Sequence, residues 1–427
     1  MNEIQKEIIT NHKMLNAVRF CQDGNTTVEK LKDILGVSRA TADRVIKPLL
    51  ETYLETGEPL VSRTERKFQI TDDAALFLGI SIGSAHIRAT LLGLDLKPIK
   101  KDIIESKYGL KISEVYDGFE EDESRGHEGY SFKTPPIDDI IKKTKFEDIR
   151  NLVIKIVEPI LDKCSSSKKQ SSGEPSPFSL MGIGVAVTGP VDYKDKRWLS
   201  SPRIDVKNAT LEDLLGVKLY ETALKNDVFL SIDNNAKAAI VCEYQGLVER
   251  GISTDEKQDE YPGDIALLYV GTGIVTASVI DRKLIRGNRN LSGEVGQLRV
   301  FEGNTIEEMI KEDNPKGYSD YVPFVLNTIT CMTGIDRIIL IGHTLTKYEA
   351  IIRELKDQRL EYFMETTQTA WTLEKGRYLP NTSAIGAAME AYLTMCNFDI
   401  NSNTDDSAND TTPEEKDIVN LAVDISW

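Results

Sequence analysis

The chain has few of the residues that build metal and redox centres. Its five cysteines, Cys21, Cys164, Cys242, Cys331 and Cys396, stand singly with no CxxC pair. That spacing excludes a disulfide scaffold and fits a reducing cytosol. Cys242 and Cys331 fall in apolar helix-like runs, which reads as core packing rather than nucleophilic chemistry. Its four histidines, His12, His86, His127 and His343, are scattered, so no His-based metal or catalytic site is expected. Trp198, Trp371 and Trp427 form no cage pattern. No apolar run reaches the ~20 residues of a membrane span, and the polar N-terminus lacks the apolar core of a signal peptide. These absences lead to the expectation of a cytoplasmic protein with no membrane partner.

Charge of one sign dominates, at a net −16. A surface that repels phosphate overall cannot coat nucleic acid. The acid is uneven, however. Through residue 70, eleven basic residues meet ten acidic ones, so a head of +1 precedes a body of −17. Only the head is suited to meet phosphate.

The first 70 residues are helix-rich and end in a strand-like stretch. The pattern then turns to α/β. Leu76–Ile82, Ile87–Leu94, Leu180–Val187, Val228–Ile232, Asp264–Val270, Val275–Ile280 and Arg337–Ile341 read as strands, the last of these the final clear one. Residues 138–163 read as a helix, 165–179 as a Ser/Lys/Pro-rich loop and 401–415 as an acidic loose segment. An acidic, Gly- and Pro-containing stretch at 101–136 reads as a surface insert.

Within the head, Thr26 and Glu29 have capping-box spacing, and Val28, Leu31 and Leu35 share one helical face. Gly36 supplies a turn residue and Ser38 an N-cap for a second helix. Ala42, Val45, Ile46 and Leu49 face inward there, leaving Arg39, Thr41, Arg44 and Lys47 outside. Two helices joined by a three-residue glycine turn form the helix-turn-helix layout, whose second helix fits the major groove. Arg reads guanine there, and Thr meets a thymine methyl or a phosphate. Arg63, Arg66 and Lys67 on the following hairpin would hold the DNA backbone as a wing. Pro48 is expected to bend or end the recognition helix near Lys47.

Three segments of the body carry a family resemblance. Gly182-Ile-Gly-Val-Ala-Val-Thr-Gly-Pro-Val-Asp192, Ser231-Ile-Asp-Asn-Asn-Ala-Lys-Ala-Ala239, and Val270-Gly-Thr-Gly-Ile-Val275 with Arg286 to Gln297 resemble, in order and spacing, motifs of the ROK family of repressors, open reading frames and kinases. The resemblance implies an α/β fold: a duplicated actin/hexokinase-like (ribonuclease H-like) domain, here preceded by an all-α/winged helix-turn-helix domain. It places the winged helix-turn-helix at 1–72 and the effector domain at 73–427. That domain would have two lobes, roughly 73–235 with 381–396, and 236–380.

The family's kinase chemistry needs a carboxylate to take a proton from the attacking hydroxyl and close backbone support of the phosphates. The resemblance puts Asn235 at the carboxylate's position, and an amide cannot act as that base. The first phosphate loop reads Ser81-Ile-Gly-Ser-Ala85, having lost the family's Asp, second Gly and Thr. Val275 and His343 replace glycines at two further loops. Gln297 stands at the family's zinc-binding His, and no cysteine lies between 297 and 330. The expectation is therefore a non-enzyme without cofactor or metal. The family's sugar-holding positions correspond to Gly189, Asn234, Asn235, Glu294, Gln297 and Glu307, with Glu308 nearly as good as Glu307. The implied partners are an operator in double-stranded DNA, a sugar or sugar-derivative effector, and further copies in a homodimer or dimer of dimers. An active sugar kinase, or a ligand-independent DNA-binding protein with a dead cleft, are the rival readings.

Overall fold

Local capping and apolar spacing explain the N-terminal helices of the computed structural model, which describes residues 3–11, 15, 18–19, 27–35, 37–53, 58–64, 67–71, 74–83, 85–108, 110, 120–121, 131–134, 144–167, 179–253, 263–271, 273–300, 303–310, 315–342 and 372–398. Helices α1 (Glu3–Thr10), α2 (Val28–Leu35) and α3 (Arg39–Glu51) precede a hairpin of β1 (Val61–Thr64) and β2 (Lys67–Ile70). The cap of α2 is Thr27, whose Oγ1 accepts the Lys30 N–H at 3.2 Å; Thr26, expected there, lies outside the described residues, as does Gly36. Ser38 caps α3 as expected, accepting the Thr41 N–H at 3.2 Å. Pro48 does not end the helix, which runs on to Glu51. Its missing N–H removes one bond, but the Thr52 N–H closes on the Pro48 carbonyl at 3.0 Å and Leu49 is buried, so the last turn is retained.

The body contains two sheets of the same plan. The first has strand order β13-β8-β3-β4-β6-β5, and the second β16-β15-β14-β17-β18. In the first, β3 (Leu76–Ile82), β4 (Ile87–Leu92) and β6 (Ser131–Lys133) form an antiparallel meander, with β5 (Glu120–Glu121) on β6. On the other side of β3, β8 (Leu180–Val187) and β13 (Phe229–Asn234) run parallel to it. In the second, β14 (Ile265–Val270), β15 (Ile274–Ile280) and β16 (Lys283–Leu284) form the meander, and β17 (Arg337–Ile341) and β18 (Thr372–Lys375) run parallel. This repeated order is the duplicated actin/hexokinase-like arrangement. Strands β3 and β8 are buried along their whole length, which accounts for their continuous apolar sequence.

Helices cover the sheets: α4 (Lys101–Tyr108), α5 (Phe146–Ser167), α6 (Leu211–Leu215), α7 (Val217–Lys225), α8 (Asn235–Ser253), α9 (Ile306–Met309), α10 (Pro315–Thr333) and α11 (Thr382–Phe398). Short strands β7 (Thr144–Lys145) and β11 (Ile204–Asp205) form one smaller sheet, and β9 (Val191–Asp192), β10 (Arg197–Ser200) and β12 (Lys207–Thr210) another. Helix α11 lies directly on the first sheet. A Cβ on Gly184 would come within 1.8 Å of the Ala387 carbonyl oxygen, and one on Gly386 within 1.7 Å of that of Ala238. Glycine is required at both because backbone meets backbone.

Three expectations need correction. The stretch 101–136 is not simply a surface insert. Ser131–Lys133 pairs with β4 and buries Phe132, because β4 would otherwise present an open edge. Residues 109, 111–119, 122–130 and 135–143 lie outside the described set. Helix α5 starts at Phe146 rather than near 138, behind Thr144–Lys145, a strand. Arg337–Ile341 is not the final strand, since β18 follows it; four residues with one buried apolar side chain, Leu373, leave too short a pattern to see. Most of the 165–179 loop and the 401–415 segment also lie outside the described residues. Among those described, no helix is long and apolar enough to cross a membrane.

The head is packed on the body. Ile8, Ile9, Leu15 and Val18 join one apolar cluster with Leu92, Leu94, Tyr392 and Met395. Buried Arg19 donates from Nε and Nη2 to the Leu94 carbonyl at 2.8 and 2.5 Å, and its guanidinium lies 4.3 Å from the centre of the Tyr392 ring.

Candidate functional site

Helix α3 buries Ala42, Ile46 and Leu49, and this orientation turns Arg39, Arg44 and Lys47 to solvent. Arg39 lies 3.0 Å from Glu29 of α2, and Lys47 lies 3.5 Å from Glu51. Both pairs are exposed, so each holds its cation only weakly and a phosphate can displace the carboxylate. Thr41 is half-buried, and its hydroxyl lies 3.0 Å from that of Ser38, so it supports the cap. On the hairpin, Arg63 stands 5.3 Å from the centre of the Phe68 ring, and Lys67 is exposed. Arg66 lies outside the described residues.

The second candidate site lies where β13 passes into α8. Asn234 spends its side chain locally. Its Oδ1 accepts the Ala236 N–H at 2.8 Å, and its Nδ2 donates to the Gly189 carbonyl at 2.9 Å. Gly189 itself sits at φ +90, against the Ser200 carbonyl. Asn235 donates from Nδ2 to the Ile82 carbonyl at 2.9 Å, tying α8 to the end of β3. Its Oδ1 is buried with no partner. A buried acceptor in that state is unsatisfied and suits a hydroxyl donor.

Glu294, Gln297 and Glu307 gather on the other side. The Gln297 amide donates to Glu307 at 3.1 Å. Burial pushes the Glu307 carboxyl up, and the neighbouring Glu294 charge adds to that. Burial also raises Glu294, with Lys237 opposing. Glu308 instead caps α9 through the Thr305 N–H, which leaves Glu307 as the acid facing Gly273 and Gly296.

The side chain that joins these halves is absent from the sequence-based set. Lys237, on the first turn of α8, is buried and donates to the carbonyls of Asn290 and Ser292 at 2.9 and 3.1 Å. Burial lowers its ammonium from the usual lysine range, against the pull of Asp233 and Glu294. Beneath it lies a second missed group. Asp233 pairs with Arg286 and accepts from Asn290 Nδ2 at 2.7 Å. Burial works to raise its carboxyl, but Arg286, then Lys237 and Asn290, outweigh it and hold the group below the usual carboxylate range. Arg286 also stacks 4.2 Å from the centre of Tyr193 and lies 3.5 Å from Glu390 of α11. Burial, with the Asp233 charge beside it, pushes the Glu390 carboxyl well above the usual range. A lysine in the apolar run Ala236–Ala239 was the one available signal for this network; Arg286 and Glu390 are too distant in sequence to be paired by reading.

The described positions that resemble the family's phosphate loops lie at the end of β3 and in β15. Ser81 is buried at the end of β3, and Gly83 closes a turn by donating to the His86 carbonyl at 2.9 Å. Ser84, Thr272 and His343 lie outside the described residues. Val275 occupies β15 opposite Tyr269.

Residues 154–317 match the model of the ROK family. That segment, about two-fifths of the chain, is similar to the ROK family. A xylose repressor from Caldicellulosiruptor bescii is 26% identical over 160 residues, covering 36% of this chain and 35% of that protein, so the match spans about a third of the curated relative's length. A crystal structure of a ROK family transcriptional regulator, a homologue of the E. coli MLC protein, superposes with a TM-score of 0.58 at 13% identity, covering 91% of this chain and 97% of that one. At that identity the likeness is one of fold, and it extends over nearly the whole of both chains. A ROK family glucokinase from Streptomyces griseus, solved with glucose and AMPPNP, aligns at 15% identity and a TM-score of 0.47, over 74% of this chain and 99% of that one. The ROK resemblance drawn from the three sequence segments is thus borne out, and so is the fold class.

Proposed function

We propose that this protein is a DNA-binding transcriptional regulator, a repressor, whose ROK domain has given up phosphoryl transfer and senses a sugar or sugar derivative. Residues 1–72 would be its DNA-reading unit and 73–427 its effector unit. The observation that carries this reading is Asn235. At the position resembling the kinase base stands a carboxamide that donates to a main-chain carbonyl, in a chain whose capped helix α3 displays Arg39, Arg44 and Lys47. An amide accepts no proton at neutral pH, so the first step of sugar phosphorylation has no base. Support comes from the relative named a xylose repressor and from the fold shared with a ROK transcriptional regulator.

In this reading Gly189, Asn235, Glu294, Gln297 and Glu307 face the effector, with Asn234 shaping the turn. Arg39, Thr41, Arg44, Lys47, Arg63, Arg66 and Lys67 face DNA. Effector binding shifts the balance between two dispositions of the readers on paired half-sites about one helical turn apart. Two measurements test this. A gel shift on the chain's own upstream DNA should show specific binding that a sugar changes, and a coupled ADP-release assay over a hexose and pentose panel should stay at background. ADP release, or no specific DNA binding, refutes the reading.

A second reading, a DNA-binding protein with a dead cleft, is favoured by Asn234, whose amide is consumed by its own main chain and Gly189. Thermal shift with sugars and sugar phosphates separates the two: no stabilisation by any of them supports the dead cleft.

A further inference from the structure

Helix α11 touches three parts of the molecule at once. Its first turn meets the candidate site, where the Ser383 hydroxyl donates to the Asn235 carbonyl at 3.0 Å. Further along, Glu390 lies 3.5 Å from Arg286, which comes from the loop after β16. Two residues on, the Tyr392 ring lies beneath the Arg19 guanidinium, 4.3 Å from it. Positions i and i+2 stand about 200° apart around a helix, so Glu390 and Tyr392 leave α11 on opposite sides. One side is the cleft floor. The other is the chain segment that precedes the reader.

The packing of α11 leaves little slack. A Cβ on Gly79 of β3 or Gly184 of β8 would overlap the main chain of α11 at Ala384 or Ala387, and one on Gly386 would overlap that of α8 at Ala238. Ala384, Ala387, Ala388 and Ala391 are fully buried and have no side-chain torsion that could relax. Close-packed interiors of this kind transmit strain instead of absorbing it.

The segment on the far side of α11 is anchored to the body. Gln5 of α1 donates to the Asp227 carbonyl at 2.8 Å, and Arg19 donates twice to the Leu94 carbonyl. Phe77 of β3 meets the Tyr392 ring edge-on, with ring centres 5.5 Å apart, and holds it in place under Arg19. Ile8, Ile9, Leu15 and Val18 share one apolar cluster with Val28 and Leu31 of α2 and with Ala42 and Ile46 of α3. Buried contact therefore continues from α11 to the inner faces of the two reader helices.

We propose that α11 transmits the state of the cleft to the reader, with α1 and Arg19 as the strap that it moves and the Arg19–Tyr392 contact as the point of transfer. A change in the separation of the two lobes moves Arg286 relative to Asp233 and Glu390. Helix α11 shifts with Arg286 as a rigid unit, and Tyr392 carries Arg19 with it. The chain runs on from Arg19 into α2, so the reader is re-aimed. Coupling between distant sites is typically about 5- to 150-fold in affinity, which sets the size of the effect. The consequence for DNA rests on the proposed function; the mechanical link rests on the packing alone.

Hydrogen–deuterium exchange on the full chain tests the link without DNA or sugar. Ser383→Ala removes the bond from α11 to Asn235, and Glu390→Met removes the contact with Arg286. Each should speed exchange of the α1 amides at least fivefold, while α7, which packs on α5 and α6, exchanges as in wild type. Arg19→Met should keep specific DNA binding within about threefold of wild type by fluorescence anisotropy. It should also cut to under twofold the change in that binding produced by whichever sugar of the hexose and pentose panel acts on wild type. Tyr392→Leu, which removes the ring and keeps the core apolar, should do the same and stands in if Arg19→Met does not fold. Unchanged α1 exchange in both cleft-side variants, an equal rise in α7, or a full sugar response in a folded strap variant overturns the proposal. If no sugar acts on wild type, the proposed function fails in its own assay, and exchange in α1 still decides whether α11 transmits.

Discussion

Glu243→Gln should make the protein more stable at pH 8 and flatten its stability between pH 4.5 and 7. Glu243 is buried on α8, and its carboxylate accepts the N–H of Arg377 at 2.8 Å and of Tyr378 at 3.4 Å. Those two N–H groups lie in the segment between β18 and α11. Burial outweighs these bonds and raises its pKa from 4.5 to about 7. A shift of that size, at ~1.4 kcal/mol per unit, corresponds to ~3 kcal/mol of pH-dependent stability.

The sign follows from proton uptake. Between pH 4.5 and 7 the folded chain keeps the proton while the unfolded chain has lost it, so the native state binds more protons and stability falls as pH rises. Below 4.5 both states are protonated and the contribution is complete; above 7 it is lost. Glutamine keeps an acceptor for Arg377 and Tyr378 and cannot ionise. Urea unfolding at pH 4.5, 6, 7 and 8 for both proteins isolates the effect as a difference, since other titrating groups are common to both. The variant should gain ~3 kcal/mol relative to wild type on going from pH 4.5 to 8. A difference that stays flat across this range would refute the claim that burial controls this carboxyl.

The remaining predictions concern the site and the reader. Asp233→Asn removes the carboxylate that pairs with buried Arg286, and should destabilise the chain by ~3–5 kcal/mol in urea unfolding; a loss under ~1 kcal/mol would mean the pair does not anchor this network. Arg44→Ala should cost ~1–3 kcal/mol of specific DNA affinity and relax base preference, whereas Lys67→Ala should weaken all sequences alike and lower the salt slope by about one, both read by fluorescence anisotropy. Equal effects on operator and random DNA would remove Arg44 from base readout. Asn235→Asp should leave ADP release at background in the coupled assay, because Ser81 and Val275 still occupy the altered phosphate loops; turnover in that variant would show that a single residue had silenced the kinase.

The order of motifs, the Ser38 cap and the long strands of the two sheets were legible in the chain because each rests on contacts between near neighbours, whereas Ser131–Lys133 and Thr372–Lys375 are too short to carry a pattern. Ser38 caps a helix three residues away, and an apolar run such as Leu76–Ile82 reports burial on both faces wherever the strand lies. Asn235 was identifiable by its position in a segment, but its unpaired oxygen was not. That depends on Ile82, more than 150 residues earlier, taking its amide. Lys237, Asp233, Arg286 and Glu390 form one network only because α8, α11 and the loop after β16 converge. Cys331, exposed on α10, was placed in the core because an apolar helix carries no label for which side is covered. Local sequence determines which element forms and where it begins; burial, pairing and charge state depend on what the fold brings beside it, through desolvation and distances that no spacing along the chain contains.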